Sequence, residues 1–155
     1  MKELFAPCTL GGLHLRNRIC RSATNDYAGN EDGTVSAAQR EIYRELAENE
    51  VGLIITGHAR VSPDGRNDAR QNRMDDDRFV TPQRELTGLV HQLGSTIVQQ
   101  LNHSGGKCPP AVTGGTPAAP SAMEYIPGVT ARALAKAEIR RIEDDFAAAA
   151  ARAKA

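Results

Sequence analysis

The stretch Val51-Gly52-Leu53-Ile54-Ile55-Thr56-Gly57 decides the fold of this chain of 155 residues. Its apolar part, residues 51–55, is unbroken and stops at a polar threonine followed by a glycine. A strand that is buried on both faces of a parallel sheet has this pattern. Residues 95–101 repeat the enrichment in β-branched side chains, and residues 17–23 form a weaker candidate. We therefore predict three parallel strands, near residues 17–23, 51–57 and 95–101, adjacent in that order.

A helical pattern follows each predicted strand. Ser36 is placed to cap a helix that runs to about Glu50. Thr81 is placed to cap a second helix, which Gly94 ends. Residues 136–155 carry apolar side chains at intervals of three and four in an alanine-rich setting, which predicts a third helix. The predicted order of elements is βαβαβα, with the helices packed on one side of the sheet.

Two long polar segments interrupt this order. Residues 60–80 are rich in Asp, Arg and Asn, and residues 102–135 hold most of the prolines. Each segment follows the carboxyl end of a predicted strand, which is the end that carries the binding loops in parallel α/β folds. We expect the two segments to form a site, and ordinary surface loops are the alternative.

Repeated βα units leave two architectures open, a doubly wound open sheet and a (β/α)8 barrel. No GxGxxG motif follows the first predicted strand, and no GxxxxGK[ST] motif occurs in the sequence. The usual phosphate-binding loops of open-sheet nucleotide-binding proteins are therefore missing. Their absence favours a barrel, although the hydrophobic pattern alone does not choose between the two.

Composition narrows the class of partner and the compartment. The sequence has 19 basic and 19 acidic residues, so no net positive charge attracts nucleic acid or an anionic membrane. Its apolar runs fall far short of the roughly 20 residues that span a bilayer. No apolar signal-peptide core or Arg-rich presequence precedes Leu15. We expect a cytoplasmic protein that binds neither nucleic acid nor membrane.

The cysteines and histidines suggest neither a disulfide framework nor a metal centre. The sequence has three cysteines, widely spaced and without a CxxC pair, so we expect reduced thiols. His58, His103 and Cys108 have spacings that fit no structural zinc site. We expect no bound metal.

Several segments, in a consistent order along the chain, resemble the old yellow enzyme family of NAD(P)H:flavin oxidoreductases. The matching segments are Leu4-Phe5-Ala6-Pro7, Gly11-Gly12-Leu13-His14-Leu15-Arg16-Asn17-Arg18-Ile19, Gly52-Leu53-Ile54-Ile55, Val61-Ser62-Pro63-Asp64-Gly65-Arg66, Gln100-Leu101-Asn102-His103-Ser104-Gly105, Pro120-Ser121-Ala122 and residues 130–151. Members of that family are (β/α)8 barrels that hold FMN at the carboxyl-terminal mouth. They pass a hydride from NADH or NADPH through the flavin to a small electron-poor acceptor, often an activated alkene.

The resemblance implies that residues 1–155 are the N-terminal part of a single FMN-binding (β/α)8 barrel domain, with only the first three βα units present. It also implies residues along the flavin ring: Ala23, Thr24 and Asn25 after the first strand, and Gln100 at the pyrimidine edge. Asn25 would adjust the reduction potential of the flavin, at a position where the family more often has Thr or Cys. A polar residue that caps a turn is the alternative for Asn25.

Three further residues follow from the same resemblance. Gly57 ends the second strand and would let a planar ring approach the backbone. His58 would contact the flavin edge, or it would be a partly buried histidine bonded to backbone. Tyr27 would line the substrate side of the ring, or it would pack against the barrel rim with its hydroxyl in water. No residue matches the family's acceptor-orienting pair, so the catalytic residues stay unassigned.

The matched region ends in the third helix, where a family member continues with a fourth strand. Three parallel strands leave two open edges, so we expect the isolated chain to form a homo-oligomer or to need a missing C-terminal barrel half. Two hypotheses follow. The chain is the N-terminal part of an FMN-dependent oxidoreductase, inactive and weak in FMN binding by itself, or it is a noncatalytic module that assembles and keeps inherited flavin-site residues.

Overall fold

The computed structural model describes residues 3–155, so the first two residues of the predicted domain range 1–155 lie outside the described residues. In chain order the strands and helices are β1 (Cys8–Leu10), β2 (Leu13–Leu15), β3 (Cys20–Arg21), α1 (Ala37–Glu48), β4 (Leu53–Ile55), β5 (Ala59–Arg60), α2 (Val80–Gln92), β6 (Thr96–Val98), β7 (Leu101–Asn102), α3 (Pro110–Thr113), β8 (Ala118–Ala119), β9 (Met123–Ile126), β10 (Val129–Ala133) and α4 (Lys136–Lys154). Single turns of 3-10 helix cover Pro63–Gly65, Asp77–Phe79 and Gly105–Lys107.

The main sheet is parallel and has the strand order β3-β4-β6. Its register pairs Cys20 with Leu53 and Leu53 with Thr96. The order and direction of the three predicted strands are confirmed, although each strand is shorter than predicted. Within residues 3–155 the sheet stays open at β3 and at β6, so the chain forms a parallel α/β wall and no closed barrel.

Helices α1 and α2 cover one face of this sheet through a cluster that we call the first apolar cluster. Its buried members are Tyr43, Ala47, Ile54, Leu86, Val90 and Ile97. Ile54 and Val90 have 0 % of their surface exposed. Because burying a side chain of this size contributes about 1.5–3 kcal/mol, this cluster holds α1 and α2 against β4 and β6.

The helix ends show which capping predictions hold. Ser36 caps α1 as predicted, since its Oγ accepts from Gln39 N at 3.0 Å in a capping box. The prediction that Thr81 caps α2 is wrong, because the helix already begins at Val80, directly after the 3-10 turn that Asp76 caps. Gly94 follows α2 as predicted, with a φ of +81° that favours glycine.

A one-residue bulge separates β4 from β5. Ile55 pairs with Val98 and Ala59 pairs with Leu101, so four steps along one chain match three along the other. The extra residue lies in residues 56–58. Such a bulge changes which side chains face each side of the sheet.

Beyond the bulge, Ala59 joins a second apolar cluster on the helix side of the sheet. The buried members of this second apolar cluster are Ala59, Val61, Met74, Phe79 and Ala149. Leu101 and Phe146 pack against it. The cluster fastens α4 over the ends of the strands.

Two small sheets were not predicted from the sequence. β1 and β2 form an antiparallel hairpin through Gly11 and Gly12, which both have positive φ. Residues 102–135, predicted as a polar loop, contain a three-stranded sheet in the order β8-β10-β9, which we call the small sheet. Its strands have two to five residues and are largely exposed, so they show little hydrophobic alternation. Among residues 3–155, no helix combines the length and the apolar character that crossing a bilayer requires.

Candidate functional site at the strand ends

The segments that follow β3, β4 and β6 meet at the carboxyl end of the main sheet, and we call this region the mouth (residues 22–27, 56–58 and 99–102). Gln100 N donates to Thr56 Oγ1 at 3.1 Å. A Cβ atom placed on Gly57 would lie 2.9 Å from Thr24 O. These contacts bring together Ala23, Thr24, Gly57 and Gln100, as expected for parallel strands that end at one edge.

Gly57 is the point where the loop after β3 rests on the strand end. Its N–H donates to Tyr43 Oη at 2.8 Å, and its carbonyl accepts from Thr56 Oγ1 at 2.8 Å. Burial raises the pKa of the Tyr43 phenol, which keeps the hydroxyl protonated at neutral pH. The close approach that Gly57 permits is therefore that of the Thr24 carbonyl, and both of its own backbone groups already have partners.

A chain of hydrogen-bonded side chains ties this loop to α1. Asp26 Oδ1 accepts from Gln39 Nε2 at 2.9 Å, and the same nitrogen donates to Asn72 Oδ1 at 2.8 Å. Asn72 Nδ2 returns a bond to Gln39 Oε1 at 3.1 Å. Asp26 Oδ2 is buried without a hydrogen-bond partner among residues 3–155. No local pattern in the sequence indicates this network, because Gln39 and Asn72 are 33 positions apart.

Asn25 and Tyr27 form a tight turn within the loop. Asn25 Nδ2 donates to Asp68 Oδ2 at 3.0 Å, and Asn25 Oδ1 accepts from Tyr27 N at 3.2 Å. Tyr27 has a φ of +52° and is 62 % exposed. A non-glycine residue in this conformation costs roughly 1 kcal/mol or more, so the turn is held by its bonds. Asn25 thus orders the loop, and the Tyr27 ring projects into solvent at the mouth.

His58 is bonded to a side chain and not to backbone. Its Nδ1 lies 2.7 Å from Nε2 of the buried Gln71. The amide nitrogen donates, so Nδ1 accepts and the ring proton sits on Nε2. The Gln71 carbonyl in turn accepts from Asn67 N at 2.7 Å. His58 therefore presents a donor nitrogen from a half-buried ring within the mouth.

His103 and Cys108 lie elsewhere, in a cavity of about 240 Å³ beneath the small sheet. Cys108 Sγ lies 3.1 Å from Asp64 O, and His103 Nε2 lies 3.7 Å from Asp64 Oδ1. Burial raises the pKa of Cys108 to about 11. Residues 3–155 contain no group of three His, Cys, Asp or Glu side chains that could hold a metal ion.

Gln100 combines a fixed backbone with a free side chain. Its N–H is bonded to Thr56, its carbonyl accepts from Ala59 N at 2.8 Å, and its side chain is exposed. Thr24 is exposed too, with its hydroxyl donating to Ser22 O at 3.1 Å. Ala23 directly precedes Thr24 and adds little bulk. The mouth therefore offers an amide and a hydroxyl beside the half-buried ends of apolar strands.

Parallel strands with convergent polar loops at their carboxyl ends define one wall of an α/β protein, a class in which ligands commonly bind at that end of the sheet. The sequence model of the NADH:flavin oxidoreductase / NADH oxidase family matches residues 3–155, and the chain belongs to that family. The cofactor of this family is FMN, with NADH or NADPH as the electron donor.

Named relatives agree in sequence and in fold. The NADH oxidase of Thermoanaerobacter brockii is 38 % identical over 98 % of this chain and 24 % of its own length. The NADPH dehydrogenase of Geobacillus thermodenitrificans is 36 % identical over 97 % of this chain and 44 % of its own. The solved structure of the old yellow enzyme homologue from Zymomonas mobilis superimposes with a TM-score of 0.88 and 31 % identity, over 97 % of this chain and 45 % of its own. The chain spans less than half the length of these relatives.

The mouth has chemistry that fits a flavin ring. The pyrimidine edge of FMN carries donors and acceptors, and its ring faces are flat and largely apolar. Gln100 supplies both a donor and an acceptor after β6, and Thr24 supplies a hydroxyl after β3, on the other side of β4. Thr56 Oγ1 accepts from Gln100 N, and Gly57 lets the Thr24 carbonyl approach, so residues 56–57 lie between these two segments. The described residues therefore suit the ring portion of the cofactor.

Proposed function

We propose that this chain forms the flavin-ring wall of an oxidoreductase of the old yellow enzyme type. The reaction would transfer a hydride from NADH or NADPH through FMN to an electron-poor acceptor such as an activated alkene. The observation that carries the proposal is the exposed Gln100 amide, held on a fixed backbone at the mouth. Membership of the family supplies the cofactor and the donor.

Each residue of the mouth has a distinct part in this proposal. Gln100 would bind the pyrimidine edge, and Ala23 and Thr24 would line the ring. FMN, when bound, supplies the hydride-transfer chemistry. Asn25 would act through the loop, because its amide is committed to Asp68 and to Tyr27 N.

Three other residues complete the proposed wall. Gly57 sets how closely the loop after β3 approaches the strand end. The Nε2 proton of His58 would donate toward the cofactor edge. The exposed Tyr27 ring would meet the substrate.

The wall needs a partner along both of its edges. β3 and β6 each pair on one side only within residues 3–155, and unpaired strand edges favour association. A dianionic phosphate also needs several convergent backbone amides and a cation. We propose that a C-terminal barrel half, or failing that a second copy of the chain, covers these edges, and that FMN binds weakly without it.

A noncatalytic module is the second candidate, because the same open edges would serve assembly as well as catalysis. In that case the residues of the mouth would be inherited from a flavoenzyme but would no longer take part in catalysis. The two candidates differ in whether Gln100 affects flavin binding and electron transfer.

The proposal is tested by measuring how much FMN the whole protein encoded by the gene retains. The purified protein is mixed with FMN and desalted, and the visible flavin absorption and NADH and NADPH oxidation are recorded. Gln100→Ala should weaken FMN binding about 3- to 10-fold, which is the effect of one or two neutral hydrogen bonds. The matched control is Gln92→Ala, an exposed glutamine at the end of α2.

Two results would contradict the proposal. One is wild-type protein that retains no flavin even when its barrel partner is present. The other is equal loss of flavin in the Gln100 and Gln92 variants. Stoichiometric flavin with sustained turnover by the 155-residue chain as a monomer would contradict only the proposed need for a partner.

A further inference from the structure

Arg60 is a buried cation whose charge no single carboxylate balances. Its side chain is 9 % exposed, and its buried Nε has no hydrogen-bond partner among residues 3–155. Asp75 Oδ2 lies 3.4 Å from that Nε, but Asp75 already binds Arg73 through both oxygens, at 2.8 Å and 3.1 Å. One buried carboxylate therefore faces two guanidinium groups.

The neighbouring charges do not cancel this excess. Arg66 stands close enough to raise the electrostatic cost of charging Arg60, and its own guanidinium donates to the carbonyls of Asp68 and Ala69. Burial, and then repulsion from Arg73, lowers the pKa of Arg60. With Asp68 counted beside Asp75, three arginines still face two carboxylates. An uncompensated buried charge is costly, and a bound anion relieves that cost.

The bulge places Arg60 on the face of the mouth. Ala59 and Leu101 are partners across β5 and β7, and both pack in the second apolar cluster on the helix side. Arg60 and its partner Asn102 are each one residue further along, so they project from the opposite face. Gln100, two residues before Asn102, shares that face. Arg60 and the proposed flavin contact therefore belong to one side of the sheet.

From this juxtaposition we propose that Arg60 binds an anionic group, a carboxylate or a phosphate, on a small-molecule substrate of the mouth. The inference rests on the proposed function for the identity of the site, and it adds the substrate class. Arg73 binds both oxygens of Asp75 in a bidentate pair, so the Arg60 guanidinium group stays available to a bound anion. The bound anion is carried either by the electron acceptor or by the pyridine nucleotide.

An anion titration tests the charge argument without any turnover. The thermal midpoint of the flavin-free protein, in the chain as its gene encodes it, is measured in rising sulfate at constant ionic strength. Wild-type protein should be stabilised as the sites fill, whereas Arg60→Gln should lose most of that gain. Arg60→Gln leaves the Arg73–Asp75 pair intact, so it should fold. Arg40→Gln, an exposed arginine paired with Glu85, is the matched control and should keep the gain.

A kinetic arm identifies the substrate that carries the anion. For Arg60→Gln, the KM of a carboxylate-bearing activated alkene relative to that of its neutral ester should rise about 10- to 100-fold over the wild-type ratio. A rise in the KM of NADPH or NADH instead would assign the anion to the nucleotide. Equal sulfate responses in wild type and Arg60→Gln, with no change in any of these KM values, would overturn the proposal. Wild-type protein without flavin or turnover would defeat the proposed function alone, because the sulfate arm still reports on Arg60.

Discussion

The first apolar cluster and the mouth share strands β4 and β6, but different forces hold them together. The cluster joins two helices and two strands through apolar contacts whose strength follows buried area. The mouth is joined by directional bonds, such as those of Gln39 to Asp26 and Asn72. A cluster of this kind tolerates exchange of one apolar residue for another, whereas the amide network depends on particular donors and acceptors.

Tyr43 belongs to both regions. Its ring packs in the first apolar cluster, and its hydroxyl accepts the Gly57 N–H at the mouth. The geometry of the mouth therefore depends on the core through the Tyr43 hydroxyl group. Substitutions on either side should show how far the two regions are independent.

The largest loss of stability should come from the cluster itself. Ile54→Ala removes a side chain with 0 % exposure and leaves a cavity, which should lower the free energy of unfolding by about 2–5 kcal/mol. Urea denaturation of the chain as its gene encodes it measures this change. Ile139→Ala, at a site on α4 that is 39 % exposed, is the control and should have a much smaller effect. Similar losses in both variants would mean that the cluster is not the main core.

Tyr43→Phe tests the link between the two regions. The ring stays in the cluster, but the buried Gly57 N–H loses its acceptor, which should cost about 1–3 kcal/mol. Amide hydrogen exchange should show faster exchange at residues 56–58 and little change in α2. Tyr125→Phe, in the small sheet, is the matched control. Uniformly faster exchange throughout the main sheet would show that the cluster and the mouth unfold as one unit.

Ser36→Ala should give a smaller loss on the polar side. The hydroxyl caps α1 and also donates to Ala28 O at 2.5 Å, so it joins the helix to the loop after β3. Loss of an N-cap lowers the free energy of unfolding by about 0.5–2 kcal/mol. Thermal unfolding measures it against Ser121→Ala, an exposed serine outside any helix or strand. No difference between the two variants would remove Ser36 from the polar network.

The smallest effect is expected at an exposed ion pair, far from the cluster. The Arg132 guanidinium, and then the Ala135 N–H, lower the pKa of Glu138 from 4.5 to about 2. Because the folded-state pKa is the lower one, this contribution to stability is present above about pH 4.5 and is lost as the pH falls through about 2.

The measurement is the difference in Tm between wild type and Glu138→Gln at neutral pH and near pH 2. The difference should be small at neutral pH and should vanish in acid. Glu143→Gln, at an exposed position of the same helix, is the matched control for loss of a surface carboxylate. A difference that grew in acid would contradict the assigned direction of the pKa shift.

The sequence predicts those parts of the fold that have a strong local period. The pattern of a single strand predicts the run at residues 51–55, and the pattern of a single helical turn predicts the start of the helix after Ser36. The small sheet does not, because strands as short as Ala118–Ala119 show no alternation. The start of α2 was misplaced because Asp76, four residues before Val80, already turns the chain.

Prediction of the mouth divides in the same way. The strand patterns predict which residues end a strand, such as Gln100 and Gly57, and that these residues meet at one edge of the sheet. The bonds between Gln39 and Asn72, or between His58 and Gln71, join segments that are distant in sequence. No periodic pattern carries that information, since a hydrogen-bonded pair has no fixed spacing along the chain.

The bulge at residues 56–58 has a consequence for how this chain tolerates insertions and deletions. Successive side chains of a strand point to opposite faces of the sheet, so one extra residue moves every later side chain to the other face. Deletion of His58 would turn Ala59 toward the mouth and Arg60 into the helix layer, where no acceptor of the second apolar cluster could receive its charge. A single-residue deletion here would thus be far more damaging than most substitutions, and the length of this short segment is as much a part of the site as its chemistry.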